Sequence, residues 1–477
     1  MKPIIGKSLI LFSASLLGIT AMTGCSGKKN DENTLNIVCL NLGYGRDWID
    51  ELVKVWLEQN PGKKVNLDAT ADATGVIQKH LYDKNNIDDL YIGNTASWKT
   101  YALRGKLLEL DDFLNEEVDG IKVVDKVNDE YKKSIYYNGH TYRLPWTSGV
   151  PGIYYNAKMF EENGWTVPTT YTELVALCEK IKSDAVPVGS GPKATTTVKP
   201  FCYTGQNMDY FDYATFTWWA QLAGKDNVDN YLKYESADTF SMSNPTFAHL
   251  KTALQMWYDL FQEHSDKSQD NFVDGSKGWD NHTAQQSFYN GYSAMMINCD
   301  WLYNETLKYT DDGKFRDGFE LKIMNTPSAT GAATDKISYI VGEDQFFAIP
   351  KTTIKADMAK SFLKLMISDQ GVKTFAEKAH GTLAYKTKEK ITTDDPYTNS
   401  LLDYMSHAEQ RFTNWSDSTL FLNNVIDVWT ERSMAPYTRV LNSSDADPVS
   451  AYFTEIANGA QSKWNEWLKQ AGKNAQQ

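Results

Sequence analysis

The chain of 477 residues carries 48 Lys and Arg against 61 Asp and Glu, which gives a formal net charge of −13. An acidic chain lacks the basic face that nucleic acid or anionic lipid requires, so we exclude both as partners of the folded body. A composition that is 42% hydrophobic and 23% charged is globular, and the length beyond residue 33 predicts two large lobes rather than one core.

The N-terminal residues have the pattern of a secretory signal. Lys2 and Lys7 precede an uncharged run over 8–22, and Thr23-Gly24-Cys25 follows it. The run is shorter than the roughly 20 residues of a membrane-spanning helix, which argues against a transmembrane anchor.

A cysteine directly after these small residues resembles the lipobox of bacterial lipoproteins, in which this cysteine is lipidated and begins the mature chain. The resemblance implies a signal peptide at 1–24, lipidation of Cys25 and a flexible tether over 25–33, where 26–33 offers no apolar side chain to bury. We therefore expect a lipid-anchored protein on the extracytoplasmic face of the cell membrane. It would contact the bilayer through its N-terminal anchor only.

Four further cysteines leave two interpretations open. Export permits disulfides, and Cys39, Cys178, Cys202 and Cys299 could pair in three ways. The apolar surroundings of three of them favour buried thiols instead. Because no CxxC spacing occurs, metal and redox chemistry are weakly indicated.

The first part of the chain predicts strands that alternate with helices. The first helix begins at Asp47, which we predict as its cap, and Ile49, Leu52 and Trp56 lie on one apolar face. Such alternation is typical of a mostly parallel sheet with helices on its faces. Strands are predicted at 35–40, 65–69 and 89–92, and a short helix at 75–82.

Two local signals stand out further along. Asn138-Gly139 predicts the turn of a hairpin over 136–143, and Thr170 with Glu173 forms a capping box that opens a helix. The remaining predicted elements are a strand at 150–155, a helix from 157 that ends before 163, a loop at 183–200, helices at 210–222 and 245–263, strands at 293–297, 319–324 and 345–349, and helices around 359–366 and 453–468.

Several of these segments, in this order, resemble the extracellular solute-binding protein family 1, the sugar-binding subunits of bacterial ABC importers. Residues 155–165 and 168–174 read YNAKMFEENGW and PTTYTEL, and 288–301 read FYNGYSAMMINCDW. Residues 346–351 and 359–363, FFAIPK and AKSFL, resemble the return into the family's last helices. Tyr171 stands where the family usually has Trp, and Cys299 replaces a glycine. The stretch after about residue 390 matches no part of the family's pattern.

The resemblance implies an α/β, two-lobed periplasmic-binding-protein-like fold of type II, with mixed sheets flanked by helices and a ligand cleft between the lobes. Lobe 1 is expected to contain 34–145 and about 303–345, and lobe 2 about 146–302 and 346–477. The implied function is capture of a mono- or oligosaccharide for the membrane permease subunits of an ABC importer. We expect a monomer, no catalysis and no cofactor.

Candidate ligand-binding residues lie where strands end, because ligands of open α/β sheets bind beyond the carboxyl ends of strands. After the first strand, Tyr44 and Asp47 offer contacts, although the same loop also reads as a plain turn with Asp47 as a helix cap. After the third strand, Asn94 and Trp98 are candidates, against a simple cap by Thr95.

Further candidates lie where the family's chain crosses between lobes. Trp146 follows the hairpin, and Glu343 and Asp344 precede a later strand. By resemblance Trp301 is the expected stacking residue and Asp300 a partner for a hydroxyl group. The alternative for Trp301 is packing beneath the hinge.

Two other functions stay open. A secreted glycoside hydrolase needs two carboxyl groups about 5–10 Å apart, and with 61 acids some pair always fits. No GxSxG, HExxH or P-loop motif supports catalysis. A surface glycan-binding module would carry its aromatic residues on a rigid sheet rather than between lobes.

Metal binding is weakly indicated. The acidic stretch with Asp266, Asp270, Asp274 and Asp280 lacks the spacing of a calcium loop, which favours a solvated loop. The seven histidines show no ligand spacing, so we expect no metal.

Overall fold

The structure is a computed structural model that describes residues 31–474, apart from 96, 190–195, 311 and 431–435. The predicted signal peptide, Cys25 and most of the predicted tether lie outside the described residues. No helix among the described residues is long and apolar enough to cross a membrane.

The strands, numbered along the chain, largely follow the predicted pattern. They are β1 (Thr34–Leu40), β2 (Lys64–Thr70), β3 (Leu90–Asn94), β4 (Glu117–Val118), β5 (Ile121–Lys122), β6 (Tyr136–Tyr137), β7 (His140–Thr141), β8 (Leu144–Pro145), β9 (Gly152–Asn156), β10 (Lys199–Cys202), β11 (Ser293–Asn298), β12 (Leu321–Met324), β13 (Ile337–Tyr339), β14 (Gln345–Ala348) and β15 (Gln410–Phe412).

The helices are numbered in the same way. They are α1 (Asp47–Gln59), α2 (Ala73–Tyr82), α3 (Trp98–Leu103), α4 (Asp111–Leu114), α5 (Val123–Lys126), α6 (Ala157–Asn163), α7 (Tyr171–Asp184), α8 (Asp212–Ala223), α9 (Lys225–Tyr231), α10 (Pro245–Phe261), α11 (Asn281–Tyr289), α12 (Leu302–Leu307), α13 (Ala356–Ile367), α14 (Asp369–Ala379), α15 (Pro396–His407), α16 (Thr419–Leu422), α17 (Pro436–Asn442) and α18 (Pro448–Asn474).

Local sequence explains several element boundaries. Thr170 and Glu173 form the predicted capping box of α7, with each side chain bonded to the other residue's backbone amide. Asn138 and Gly139 both adopt positive φ, as a tight hairpin turn between β6 and β7 requires. Asp47 is not the cap of α1, because the helix already includes it and Arg46 holds the capping position.

The first lobe is built on a sheet with the strand order β2-β1-β3-β14-β8. β1 pairs in parallel with β2 and β3, whereas β14 runs antiparallel to β3. Helices α1, α13 and α14 pack together against it, and Trp48, Phe347 and Phe375 belong to its buried core.

The second lobe is built on a sheet with the strand order β10-β11-β9-β12. β10 and β11 are parallel, and β9 runs antiparallel to β11 and β12. Its core includes Trp218 and Trp219 of α8, both fully buried, as the sequence predicts. The two-lobed α/β fold of type II is confirmed.

The strand pairings correct part of the predicted lobe boundaries. β12, within the 303–345 segment assigned to lobe 1, pairs with β9 in lobe 2. Most of β14, together with α13 and α14, lies within the 346–477 segment assigned to lobe 2, yet these elements belong to lobe 1. Short buried strands look alike in sequence, so their periodicity does not specify which sheet they join.

Most of the last part of the chain, unmatched in sequence, completes the second lobe. α15 packs on β12, and β15 pairs with β13. α18 packs along α10 and α17. The sequence predicts α18 from its apolar periodicity, but it does not predict α15 or β15.

The chain crosses between the lobes in three segments, which are 146–151, 340–344 and 380–395. The backbone amide of Ser148 donates to the Thr382 carbonyl at 2.9 Å, and that of Gly149 donates to the Val341 carbonyl at 3.0 Å. The Tyr131 hydroxyl donates to the same Val341 carbonyl at 2.5 Å. Hydrogen-bonded crossing strands form a hinge about which the two lobes can rotate.

The cysteines beyond residue 30 are buried free thiols, which settles the question of disulfides. Cys39, Cys178, Cys202 and Cys299 are each unpaired and buried. Burial raises the pKa of the Cys202 thiol to about 12, so it stays protonated and acts as a small apolar side chain.

Candidate functional site

The two lobes face each other with strand ends that carry polar and aromatic side chains. In lobe 1 these are the carboxyl ends of β1 and β3 and the amino end of the antiparallel β14. In lobe 2 they are the carboxyl ends of β10 and β11. The facing edges therefore define one cleft beside the hinge, where open α/β sheets bind ligands.

Trp301 lies between the lobes at the beginning of α12. Its half-buried ring packs against the cores of both lobes. Tyr44 of lobe 1 meets it edge-on with centroids 6.4 Å apart, and Tyr210 and Tyr213 of lobe 2 lie 6.1 and 6.3 Å away. Four aromatic rings thus line the contact of the two lobes, an arrangement suited to the apolar face of a ring-shaped ligand.

Gly43 permits this close approach of the lobes. A Cβ atom at Gly43 would lie 2.3 Å from the Cβ of Trp301, a distance that no real side chain tolerates. The backbone of Gly43 is not in the left-handed region, so the requirement for glycine here is the proximity of the other lobe.

Tyr44 and Asp300 form a direct hydrogen bond between the lobes. The Tyr44 hydroxyl donates to Oδ1 of Asp300 at 2.9 Å, and the Tyr397 hydroxyl donates to the Asp300 carbonyl at 2.7 Å. Tyr44 is 5% exposed and Asp300 is fully buried. Burial raises the pKa of Asp300 to about 6, although the Tyr44 hydrogen bond opposes this. The structure therefore places both residues behind the cleft surface.

Trp98 and Trp146 are also enclosed. Trp146 is 1% exposed and packs among Tyr44, Trp48 and Phe375. Trp98 has no exposed surface, and its ring stacks on Trp415 with centroids 6.1 Å apart. Neither indole offers a free face to a ligand in this conformation.

The other predicted residues are accessible. Asp47 and Asp344 are exposed, and Asn94 and Glu343 are partly exposed. The structure brings the last three together, because Asn94 pairs with Gln345 across β3 and β14, directly after Glu343 and Asp344. Asp47 lies apart from them, in the first turn of α1.

Sequence reasoning missed the residues that follow β10. Tyr210 and Tyr213 meet Trp301, and Asp209 and Asp212 lie beside them. The sequence did not predict β10, because residues 183–200 contain prolines and glycines and were predicted to be a loop. Recognition of β10 as a neighbour of β11 would have pointed to its carboxyl end by the same rule that selects Trp301.

Burial raises the pKa values of four carboxyl groups at the cleft, which favours their protonated forms. Burial, then repulsion from Asp344, raises the pKa of Glu343 to about 7, and Oε2 of Glu343 is buried without a hydrogen-bond partner in the structure. Burial raises the pKa of Asp212 to about 8, although the Tyr437 hydroxyl donates to it at 2.7 Å. Asp209 and Asp344 are exposed, yet surrounding protein raises their pKa values too, as expected on the walls of a cleft.

Thermal stability is expected to fall as the pH rises from 5 to 8. Unfolded carboxyl groups release their protons near pH 4, whereas folded Asp300, Glu343 and Asp212 hold theirs to pH values of about 6, 7 and 8. Unfolding therefore releases protons in this window, and a higher pH favours it. We expect Glu343→Gln to recover about 2 kcal/mol of the free energy of unfolding at pH 8.

Thermal unfolding curves at pH 5, 6, 7 and 8 would check this. Glu466→Gln, at an exposed position of α18, is the matched control and should leave the pH profile of the melting temperature unchanged. A melting temperature that rises between pH 5 and 8 would contradict the expectation.

Carboxylates of the acidic stretch around residue 270 accept hydrogen bonds from backbone amides only two or three residues away. Asp266 accepts from the Ser268 amide at 3.0 Å, and Asp280 caps α11 by accepting from the Thr283 amide at 2.8 Å. Among the described residues, the group compatible with a metal is instead Glu109, Asp111 and His140, whose ligand atoms lie within 4.8 Å of one another. Asp111 there also accepts from a backbone amide, and the cluster reads as a surface ion pair.

Two lobes, a hydrogen-bonded hinge and a cleft of aromatic and carboxylate side chains define the class of two-lobed ligand-binding proteins. Residues 51–399 match the family described as bacterial extracellular solute-binding protein. The chain belongs to this family.

Curated relatives cover most of the chain. The diacetylchitobiose-binding protein NgcE of Streptomyces coelicolor is 23% identical over 371 residues, which are 74% of this chain and 72% of that protein. The diacetylchitobiose-binding protein DasA of the same organism is 24% identical over 397 residues, covering 80% and 82%. These relatives are named as binding proteins, not as enzymes.

Solved structures share the fold. Ligand-free RafE of Streptococcus pneumoniae superimposes with a TM-score of 0.63 at 16% identity, covering 94% of this chain and 100% of that one. A structure described as RafE in complex with raffinose gives a TM-score of 0.60 at 17% identity, covering 89% and 99%.

Proposed function

We propose that the protein captures a mono- or oligosaccharide in the cleft between its lobes and delivers it to the permease of an ABC importer. Lobe closure about the hinge would enclose the sugar without breaking a bond, so the protein acts as a monomeric receptor and not as an enzyme. The surface formed by the closed lobes would be the one presented to the permease.

The observation that carries the proposal is the composition of the cleft. Trp301 and Tyr210, both partly exposed, offer aromatic surface to the apolar face of a pyranose ring, and the buried Tyr213 packs against Trp301 behind them. Asn94 and Glu343, at the strand ends of the other lobe, offer amide and carboxylate partners to its hydroxyl groups. Oε2 of Glu343, without a partner in the protein, is well suited to accept from a sugar hydroxyl.

The remaining candidates divide into two roles. Asp47 and Asp344 are exposed and can contact ligand at the rim, together with Asp209, which sequence reasoning missed. Tyr44, Trp98, Trp146 and Asp300 are enclosed and would hold the walls in place. The sugars named for the relatives, diacetylchitobiose and raffinose, make di- and trisaccharides the first ligands to test.

A saccharide panel is expected to raise the melting temperature selectively. Diacetylchitobiose, raffinose, xylobiose, maltose and galactose would each be added, and a ligand at about one hundred times its Kd should add about 2.7 kcal/mol to the free energy of unfolding. Titration calorimetry would then give the affinity. Steady release of monosaccharide from any of the di- or trisaccharides would instead support a hydrolase. No shift with the whole panel would contradict saccharide binding.

We further propose that Cys25 carries the lipid that holds the protein at the outer face of the membrane. Cys25→Ser is expected to move the protein from the membrane fraction to the soluble fraction, since the lipid would be its only anchor. Cys178→Ser, at a buried free thiol, is the control and should leave the protein in the membrane fraction. Retention of the Cys25→Ser protein in that fraction would contradict lipidation at this position.

A further inference from the structure

One segment of the C-terminal region, 413–424, bridges the two lobes after β15. Two hydrogen bonds hold it on lobe 2. The Ser416 hydroxyl donates to the Leu232 carbonyl just after α9, and Nδ2 of Asn423 donates to the Ala471 carbonyl of α18 at 3.1 Å. α16, within this segment, packs against α18.

Trp415 and Phe421 of the same segment also reach lobe 1. The Trp415 ring belongs to the lobe 1 core and stacks on Trp98 with an angle of 17° between the planes. Nζ of Lys99 lies 5.0 Å from the centroid of Trp415 and 5.4 Å from that of Phe421. Stacked rings and a cation over aromatic faces make this a specific attachment rather than a chance contact.

The attachment point lies on the ligand side of lobe 1. Trp98 opens α3 shortly after the carboxyl end of β3, where Asn94 lies. Arg143, whose guanidinium carbon is 4.8 Å from the centroid of Trp98, donates to the Gln345 carbonyl at 2.8 Å, next to Glu343. The segment therefore meets lobe 1 beside the polar candidates of the cleft.

Trp301 marks the other side of the cleft. It abuts Gly43 after β1, whereas the segment contacts Trp98 and Lys99 of α3, which follows β3. β1 and β3 are paired neighbours about 4.8 Å apart, so the two contacts leave lobe 1 from adjacent strand ends. A cavity of about 350 Å³ lies beside the segment and is lined by Glu130, Lys233, 411–413 and 415–418 among others, so the segment borders space between the lobes. None of the nine predicted residues lines that cavity.

We propose that residues 413–424 form an end wall of the interlobe cleft that limits the length of the saccharide that binds. Trp415 occupies the face of Trp98 on which a further sugar ring would otherwise stack. A short saccharide fits between Trp301 and this wall, and a longer chain has to displace it. This inference rests on the proposed saccharide function.

The test compares ligand length in the full mature protein. Titration calorimetry would use chito-, xylo- and malto-oligosaccharides of two to six units with the wild type, Trp415→Ala and Lys99→Ala. In the wild type we expect affinity to fall at least tenfold from the best short member of the preferred series to its hexamer. In Trp415→Ala this fall should shrink to less than threefold, while the short ligand keeps its affinity within threefold.

Controls separate the possible failures. Trp464→Ala, at a half-buried tryptophan of α18 whose ring meets Trp467, should keep the length profile of the wild type. Lys99→Ala weakens the attachment of the segment without removing a core ring, so it should change the length profile in the same direction as Trp415→Ala. This second variant keeps the test decisive if Trp415→Ala does not fold. A wild type that binds short and long members equally, or folded variants that keep the steep fall, would overturn the end wall alone. A wild type that binds no saccharide would overturn the proposed function and the end wall with it.

Discussion

Replacing Trp301 by alanine is expected to weaken saccharide binding ten- to one-hundredfold, or about 1.4–2.8 kcal/mol. The ring lies between the lobes and meets Tyr44, Tyr210 and Tyr213, so its loss removes both a stacking surface and a contact that forms when the lobes approach. We also expect a loss of about 2 kcal/mol in the free energy of unfolding, because the partly buried ring packs on both cores.

Calorimetric titration of the sugar chosen by the panel would measure the affinity, and chemical denaturation would measure the stability. Trp464→Ala is the matched control, since it removes the same side chain from the outer helix α18. Unchanged affinity of a folded Trp301→Ala protein would remove Trp301 from the ligand site and favour packing beneath the hinge.

Gly43→Ala is expected to prevent the lobes from closing fully and to lower saccharide affinity at least tenfold. The added methyl group would lie 2.3 Å from the Cβ of Trp301, which belongs to the other lobe and is held close to the backbone. Relief requires the lobes to separate, and the Tyr44–Asp300 hydrogen bond of 2.9 Å would lengthen with them.

Small-angle scattering with and without saturating sugar would detect the separation. The wild type should become more compact when the sugar binds, and Gly43→Ala should not. Gly278→Ala is the matched control, because nothing lies within 4 Å of the position that its methyl group would take and its φ is not positive. Full compaction of Gly43→Ala with the sugar would show that the lobes do not need this close approach.

Local signals in the sequence predict local structure well. The capping box of α7, the hairpin turn at Asn138-Gly139 and the strand β1 depend on residues only a few positions apart, and all three are found. The strand β10 was not predicted, because the proline- and glycine-containing stretch before it indicated a loop. Tyr210 and Asp212, which follow this strand, were therefore not selected as candidate site residues. Selecting candidate residues at strand ends finds only those that follow strands already predicted from the sequence.

Among the candidate site residues, the sequence selected both side chains that are accessible and side chains that are enclosed. Trp301, Asn94 and Glu343 were selected from their positions after or before strands, and they lie at the facing edges of the lobes. Trp98 and Trp146 were selected by the same reasoning, yet both are enclosed by other rings. A tryptophan at a strand end looks the same in sequence whether a ligand or another part of the chain covers it.

The sequence by itself determined the alternation of strands and helices, the two-lobed family fold and the strand ends that carry polar and aromatic residues. Only the tertiary structure decided which lobe β12 and β14 join, which aromatic rings stay accessible and that residues 413–424 pack against both lobes. The physical reason is the range of the interactions. Helix caps and turns are set by near neighbours, whereas the Tyr44–Asp300 bond and the stack of Trp98 on Trp415 join residues hundreds of positions apart.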